Sequence, residues 1–199
     1  MCSEAPEKNV KMIITTWNIR GLNSRGKQRY LIERLKKEKP SIMILQETKV
    51  STEKMSEILN RNKSRYEMMG QDALGSAGGL VFLWNPDEIQ FTNWMSFPRI
   101  LTGNTHILGT TEEVMVTGVY GPHLQTEKEN FLKNLKALRD LMPEKQWILG
   151  GDFNMIKTTE EKRGGIRRLD TVSEKFGDLI REQKLIDVQT INGKHTWNN

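Results

Sequence analysis

The chain has 199 residues with a net charge of +5, enough length for one domain with a sizeable core and a balance that permits a polyanionic partner without demanding one. Charged residues make up 28% and apolar residues 36%, which points to a globular fold, and no uncharged apolar run reaches the ~18 residues that a membrane-spanning helix needs. Cys2 is the single cysteine, so an intrachain disulfide and a cysteine-based zinc site are both excluded.

Residues 1–10 are polar, carry no apolar core of signal-peptide length and read as a disordered tail; residues 11–199 read as one domain. The run "KMIITTW" (11–17) is the first buried-strand pattern. "KQRYLIERLKKEK" (27–39) follows as a helix with Leu31, Ile32 and Leu35 on one face, closed by Pro40. "SIMILQ" (41–46) and "GLVFLW" (79–84) are further strands, and "EIQFTNW" (88–94) and "THILGT" (105–110) are less regular candidates. "EVMVTGVY" (113–120) is the fourth regular strand. "TEKENFLKNLKALRDLMP" (126–143) is the most regular helix: Thr126 and Glu129 have capping-box spacing, Phe131, Leu135, Leu138 and Met142 form the apolar stripe, and Pro143 ends it. "QWILG" (146–150) is the fifth strand. "TVSEKFGDLIREQKL" (171–185) repeats the helical logic, with Thr171 and Glu174 as its capping box and Phe176, Leu179 and Ile180 inward. Strands that alternate with helices and also follow one another directly predict a mixed α/β layered domain.

The chemistry-bearing residues gather where these strands end. The first is followed by Asn18, the second by Glu47, the fourth closes on Tyr120 with His123 beyond it, and the fifth runs into Asp152 and Asn154. If the backbone stays extended through "GDFN", Asp152 and Asn154 point the same way and Phe153 the other. A strand followed by an Asx-type turn is the other reading of that stretch. Strands laid side by side with these tips on one rim would bring together hard oxygen donors, amides and a phenol. Mg²⁺ takes such donors, usually with only one or two protein carboxylates, and a phosphate diester completes its shell. Asp152 would polarise a water for in-line attack and Asn154 would orient it.

"TTWNIRGLN", "SIMILQETK", "GSAGGLVFLW", "VTGVYGPH", "WILGGDFN" and "HTWNN" stand in the order and spacing of the endonuclease/exonuclease/phosphatase superfamily. The chain resembles above all the endonuclease domain of plant non-LTR (LINE-type) retrotransposons, from about residue 11 to its last residue. The resemblance implies a four-layer α/β sandwich of two mixed β-sheets flanked by helices, and Mg²⁺-dependent hydrolysis of DNA phosphodiesters, with Mn²⁺ as an alternative ion. It implies Glu47 as metal ligand, Asn18 as the residue that helps hold the metal and its neighbouring carboxylate, and Tyr120 as the phenol on the phosphate. It implies Asp152 as the residue acting on the water, Asn154 as its partner, His123 as a phosphate contact and Thr196 as a DNA-facing residue. Arg20 stands where repair relatives carry an acidic residue, so a second metal site is not expected. The family's two final motifs, including a serine-aspartate-histidine ending, do not occur here. The sandwich is therefore expected to lack its last strands, and the chain to be poorly stable and weakly active or inactive.

Lys162, Arg163, Arg167 and Arg168 surround two glycines in "EEKRGGIRRLD", which reads either as a basic loop tracking a DNA backbone or as a solvated loop. "GSAGG" (75–79) reads as tight packing ahead of a strand rather than ligand approach. Trp17, Trp84 and Trp147 read as core; Trp94 and Trp197 stay open. Three functions compete: a retroelement DNA endonuclease, a catalytically impaired remnant that only binds nucleic acid, and a superfamily phosphatase or phospholipase. The last is disfavoured because "WNIRGLN" and "YGPH" resemble nuclease versions and no membrane-docking helix is visible. A DNA substrate implies an intracellular, nuclear site of action.

Overall fold

The computed structural model describes residues 11–74, 77–142, 146–161, 169–188 and 191. Two compact units emerge: one comprises the chain up to Tyr120 together with Glu144–Asp152, the other Gly121–Pro143 together with Phe153 onward.

The first unit holds two mixed four-stranded sheets with flanking helices. In the first sheet the order is β1 (Ile14–Asn18), β2 (Ile42–Gln46), β4 (Ala77–Trp84), β3 (Glu67–Leu74). β1 and β2 run parallel, and the β3–β4 hairpin continues the sheet antiparallel. In the second sheet β5 (Ile89–Phe97), β6 (Ile100–Ile107) and β7 (Glu113–Tyr120) form an antiparallel meander, and β8 (Gln146–Asp152) adds parallel to β7.

All five β2 side chains are buried, because both faces of that strand are covered. Met43 and Leu45 face α1 (Arg25–Glu38) and α2 (Thr52–Arg61), which bring Leu31, Ile32, Leu35, Met55, Ile58 and Leu59 onto the sheet. Ile42 and Ile44 face the second sheet and pack with Phe82, Leu101, Val114 and Val116. The sheets approach closely at Gly118, where an added Cβ would lie 2.6 Å from both Ile44 Cγ2 and the Phe82 ring. Trp84 belongs to this inner core, and Trp94 joins it as well, stacked on Phe91 with ring centroids 4.5 Å apart. Trp17 is half-buried edge-on to Tyr30, and the half-buried Trp147 donates its indole N–H to Thr117 Oγ1 at 2.8 Å.

Several local expectations change. α2 and β3 have no counterpart in the sequence reading. α2 starts at Ser51, whose hydroxyl accepts from Lys54 N, and its buried face is Met55, Ile58 and Leu59. β3, "EMMGQDAL", lacks alternation and is made a strand by pairing with β4. "THILGT" is strand only to Ile107, where β6 ends in a turn. Gly79 takes φ +89° with Thr48 Oγ1 2.2 Å from where a Cβ would sit, so the close approach at "GSAGG" is packing at that glycine.

In the second unit, α3 (Gln125–Leu141) and α4 (Thr171–Glu182) lie together, joined at the surface by Lys136–Glu182 and Lys175–Glu129 pairs. α3 begins after Leu124 with no side-chain cap, so the Thr126/Glu129 capping box does not form; Thr126 is already inside the helix. Its buried face is Phe131, Leu132, Leu135 and Leu138, and Met142 lies past the helix end. α4 is capped one residue earlier than predicted, by Asp170 accepting from Ser173 N at 2.7 Å. Its buried apolar face is Val172, Phe176 and Leu179.

Candidate active site

Period-two alternation decides which side chains reach the rim. On β1, Ile14 and Thr16 face the other sheet, so Asn18 does too; on β7, Val116 and Gly118 do, and Tyr120 follows; on β8, Ile148 and Gly150 do, and Asp152 follows. Parallel pairing puts Asn18 opposite Gln46 and Tyr120 opposite Asp152, so the paired strands end level within each sheet, and the Asn18–Asp152 hydrogen bond joins the two pairs of tips. Small residues just behind the tips, Thr16, Gly118 and Gly150, let the two sheets come close there.

Glu47 sits one residue past β2 and reaches the same rim by a backbone turn. Its φ is +52°, a left-handed conformation unusual for a glutamate. The turn is held from both sides: Gly21 N donates to Glu47 O at 2.6 Å, Leu22 N to Thr48 O, and Thr48 N and Lys49 N to the carbonyls of Gly79 and Gly78. Strain at a residue fixed this firmly is typical of functional sites.

The amide of Asn18 joins the two acids. Its Nδ2 donates to Glu47 Oε1 at 2.8 Å and to Asp152 Oδ2 at 2.9 Å, so those oxygens are closer than the two bonds laid end to end. Its Oδ1 accepts from Arg20 N at 3.2 Å, which fixes the way the amide faces. Tyr120 hydrogen-bonds to Glu47 through its phenol, and Lys49 Nζ lies 3.5 Å from Glu47 Oε2. Burial works against charge on Glu47, but the bonds from Asn18 and Tyr120 and the Lys49 ammonium outweigh it, so its carboxyl is held below the usual range. Burial, then the neighbouring Glu47 carboxylate, pushes the Tyr120 phenol up to about 12, against the opposing effect of Arg99.

Four of the sequence-predicted residues, Asn18, Glu47, Tyr120 and Asp152, thus meet in one constellation of the first unit. The second unit contains Asn154, and here the extended-backbone expectation fails. β8 ends at Asp152, Gly151 has φ +142° and Asn154 φ +50°, so the chain turns before Asn154. Asn154 Nδ2 donates to Gly121 O at 2.7 Å, and Gly121 has room for no side chain because a Cβ would sit 1.8 Å from Phe153 O. The amide therefore locks the "GDFN" turn to the "YGP" turn. His123 is exposed in the turn before α3. Thr196, Arg163, Arg167, Arg168 and Lys162 lie outside the described residues. Sequence reasoning assigned no role to Lys49 or to Arg99, whose guanidinium lies over the Tyr120 ring. The signal for Lys49 was its place two residues after Glu47; Arg99 left only its position after Pro98 in a turn.

Among the described residues no three histidine, cysteine, aspartate or glutamate side chains cluster as metal ligands. The two carboxylates, Glu47 and Asp152, are the hard oxygen donors at the rim, with the Asn18 N–H groups turned toward both. One or two protein carboxylates suit Mg²⁺, which completes its shell with water and phosphate.

The model of the endonuclease/exonuclease/phosphatase family matches residues 15–172. The chain belongs to this family. Solved structures agree on the fold. An AP endonuclease from Archaeoglobus fulgidus is 19% identical, with 86% of this chain and 70% of that one covered and a TM-score of 0.63. The 3'-5' exonuclease NExo from Neisseria meningitidis is 21% identical, with 86% and 71% covered and a TM-score of 0.65. Humanized D. rerio TDP2 is 17% identical, with 72% and 66% covered and a TM-score of 0.55. The chain spans 66% of that TDP2 structure and 64% of the human Nocturnin catalytic domain. No curated protein matches the sequence.

Proposed function

We propose that the protein hydrolyses phosphodiester bonds of DNA with Mg²⁺, as an endonuclease of the retroelement type. The observation that carries this reading is the shared amide of Asn18, which ties Glu47 and Asp152 into one oxygen-lined site beside Tyr120. Glu47, with Asn18 and Asp152 beside it, would hold the cation, which when bound supplies positive charge to the phosphoryl oxygens. Asp152 takes the proton of the attacking water at a carboxylate oxygen while Asn18 holds that carboxylate in place. A bond forms from the water oxygen to phosphorus, and the bond to the leaving oxygen on the far side breaks. Tyr120, its phenol pushed up to about 12, stays protonated at neutral pH and acts as a hydrogen-bond donor. Asn154 fixes the turn that follows Asp152.

DNA as the substrate is supported by the net charge of +5 and by two relatives of the same fold. One is D. rerio TDP2 complexed with single-strand DNA product, and the other is the Neisseria 3' phosphatase NExo bound to a product DNA hairpin. The retroelement assignment rests on the "WNIRGLN", "QETK" and "YGPH" motifs.

The test is nicking of supercoiled plasmid in Mg²⁺. Conversion to the open circle that disappears in both Glu47→Ala and Asp152→Ala, with duplex binding retained, supports the reading. Nicking that survives both substitutions overturns it. Release of inorganic phosphate from a 3'-phosphorylated oligonucleotide without plasmid nicking would move the assignment to a phosphatase.

A further inference from the structure

β5 and β6 are joined by Pro98 and Arg99 alone, with Phe97 paired to Ile100 across the turn. Two-residue hairpins ordinarily use turns with a positive φ at the first turn residue. Pro98 cannot supply it, because its ring fixes φ near about −65°. The positive φ falls instead on Arg99, at 67°, the position of a type II turn that glycine or asparagine normally fills. A long cationic side chain thus occupies a backbone conformation unfavourable to it.

Its surroundings supply a reason. Tyr120 N donates to Arg99 O at 3.0 Å, so the turn is tied to the end of β7 by the backbone. Above that bond the Arg99 guanidinium lies over the Tyr120 ring, with Cζ 5.5 Å from the ring centroid. A guanidinium at this range over an aromatic face is attracted by the ring quadrupole. Tyr120 is 6% exposed, and its phenol hydrogen-bonds to Glu47. Glu47 and Asp152 place negative charge near that phenol, and the Arg99 charge acts against it. The chain from turn to ring to carboxylate is continuous.

We infer that Arg99 is a positioning residue for the reaction at this rim: stacked on Tyr120, it holds the phenol in the orientation that donates to Glu47. The inference deepens the phosphodiesterase reading and, in its kinetic arm, rests on it.

Arg99→Gly removes the guanidinium and relieves the left-handed backbone. This variant is expected to melt at or above the wild-type temperature while kcat falls roughly tenfold, the scale of a half-buried cation–π contact, and KM stays near wild type. Arg99→Gln keeps the long side chain without its charge and loses the same factor; Arg99→Lys, still cationic, recovers most of it. In a Tyr120→Phe background, which keeps the ring but not the hydroxyl, Arg99→Gly has no further effect on kcat. An equal loss in both backgrounds, or a loss carried by KM, assigns Arg99 to direct contact with DNA and overturns the inference. A lowered melting temperature that tracks the loss across all three variants overturns it too.

An activity-free arm separates failure of this inference from failure of the phosphodiesterase reading. In protein carrying ring-¹³C tyrosine, the Tyr120 signal is assigned by its disappearance in Tyr120→Phe. That signal is expected to shift in Arg99→Gly and Arg99→Gln while those of Tyr30 and Tyr66 stay in place. An unmoved Tyr120 signal refutes the positioning role whether or not plasmid is nicked.

Discussion

Asn18 Nδ2 donates to Asp152 Oδ2 at 2.9 Å across 134 positions of sequence. The same nitrogen donates to Glu47 at 2.8 Å, so its two hydrogens serve the two acids of the rim, one each. The amide sets the spacing between two negative charges and lowers the cost of holding them together.

Exchange of this amide for a carboxylate tests that role. Asn18→Asp puts a third acid between the other two, where like charges repel. The variant is expected to melt below wild type in a chelator and to gain more from Mg²⁺ than wild type does. Differential scanning calorimetry with and without the ion measures both, and identical Mg²⁺ responses would remove Asn18 from the cation site. Asn18→Leu, which cannot bond either acid, is expected to lower nicking on the order of 10²-fold.

Glu47 holds a left-handed backbone that is unfavourable for a glutamate. Asn is well tolerated at the left-handed φ of +52°. Glu47→Asn is therefore expected to abolish nicking while leaving stability unchanged or raised by up to about 1 kcal/mol. Urea unfolding at neutral pH measures this, and a marked loss of stability would show that the carboxylate itself supports the fold.

Tyr66 sets a pH limit on the alkaline side. Its hydroxyl donates to Pro40 O at 2.8 Å, and burial pushes its phenol up to about 12, above the ordinary value of 10. The fold favours the protonated form, so this contribution is fully present below about pH 10 and is lost as pH rises toward 12. Tyr120 adds a second contribution in the same window. Urea midpoints between pH 8 and pH 12 are expected to fall above about pH 10. Tyr66→Phe should lose part of that slope and about 1 kcal/mol at neutral pH.

Gly118 marks a close contact of the two sheets. An added methyl would meet Ile44 and Phe82 at 2.6 Å, inside a core whose neighbours are fully buried. Gly118→Ala is expected to lower stability by about 1–3 kcal/mol through overpacking, read from the urea midpoint at constant slope. An unchanged midpoint would mean the inter-sheet space is looser than the contacts require.

Much of the fold was legible because the signals were local. "SIMILQ" and "EVMVTGVY" are apolar along their length, as strands covered on both faces must be, and the stripes of α1, α3 and α4 follow helical spacing. α2 carries a legible signal too, since Met55, Ile58 and Leu59 repeat at helical spacing after Ser51, but the run is short and charged, which weakens the periodicity. β3 was not readable, since Met68, Met69 and Gly70 carry no strand signature and their pairing with β4 makes the strand. The cap of α4 lies one residue early because Asp170, not Thr171, is the residue with extended backbone ahead of the helix, and α3 starts after Leu124 with no side-chain cap because Thr126 is already helical.

For the site, the order of residues along the chain already named Asn18, Glu47, Tyr120 and Asp152, since each follows or ends a strand-like run and strand alternation is a property of the backbone. Their meeting was a different matter. Register, the small residues that let the sheets approach, and the left-handed turn that brings Glu47 inward all depend on contacts between distant segments. The Asn18 bridge and the seat of Arg99 over Tyr120 likewise exist only once the strands are packed, because no local rule specifies which side chain faces which across two sheets.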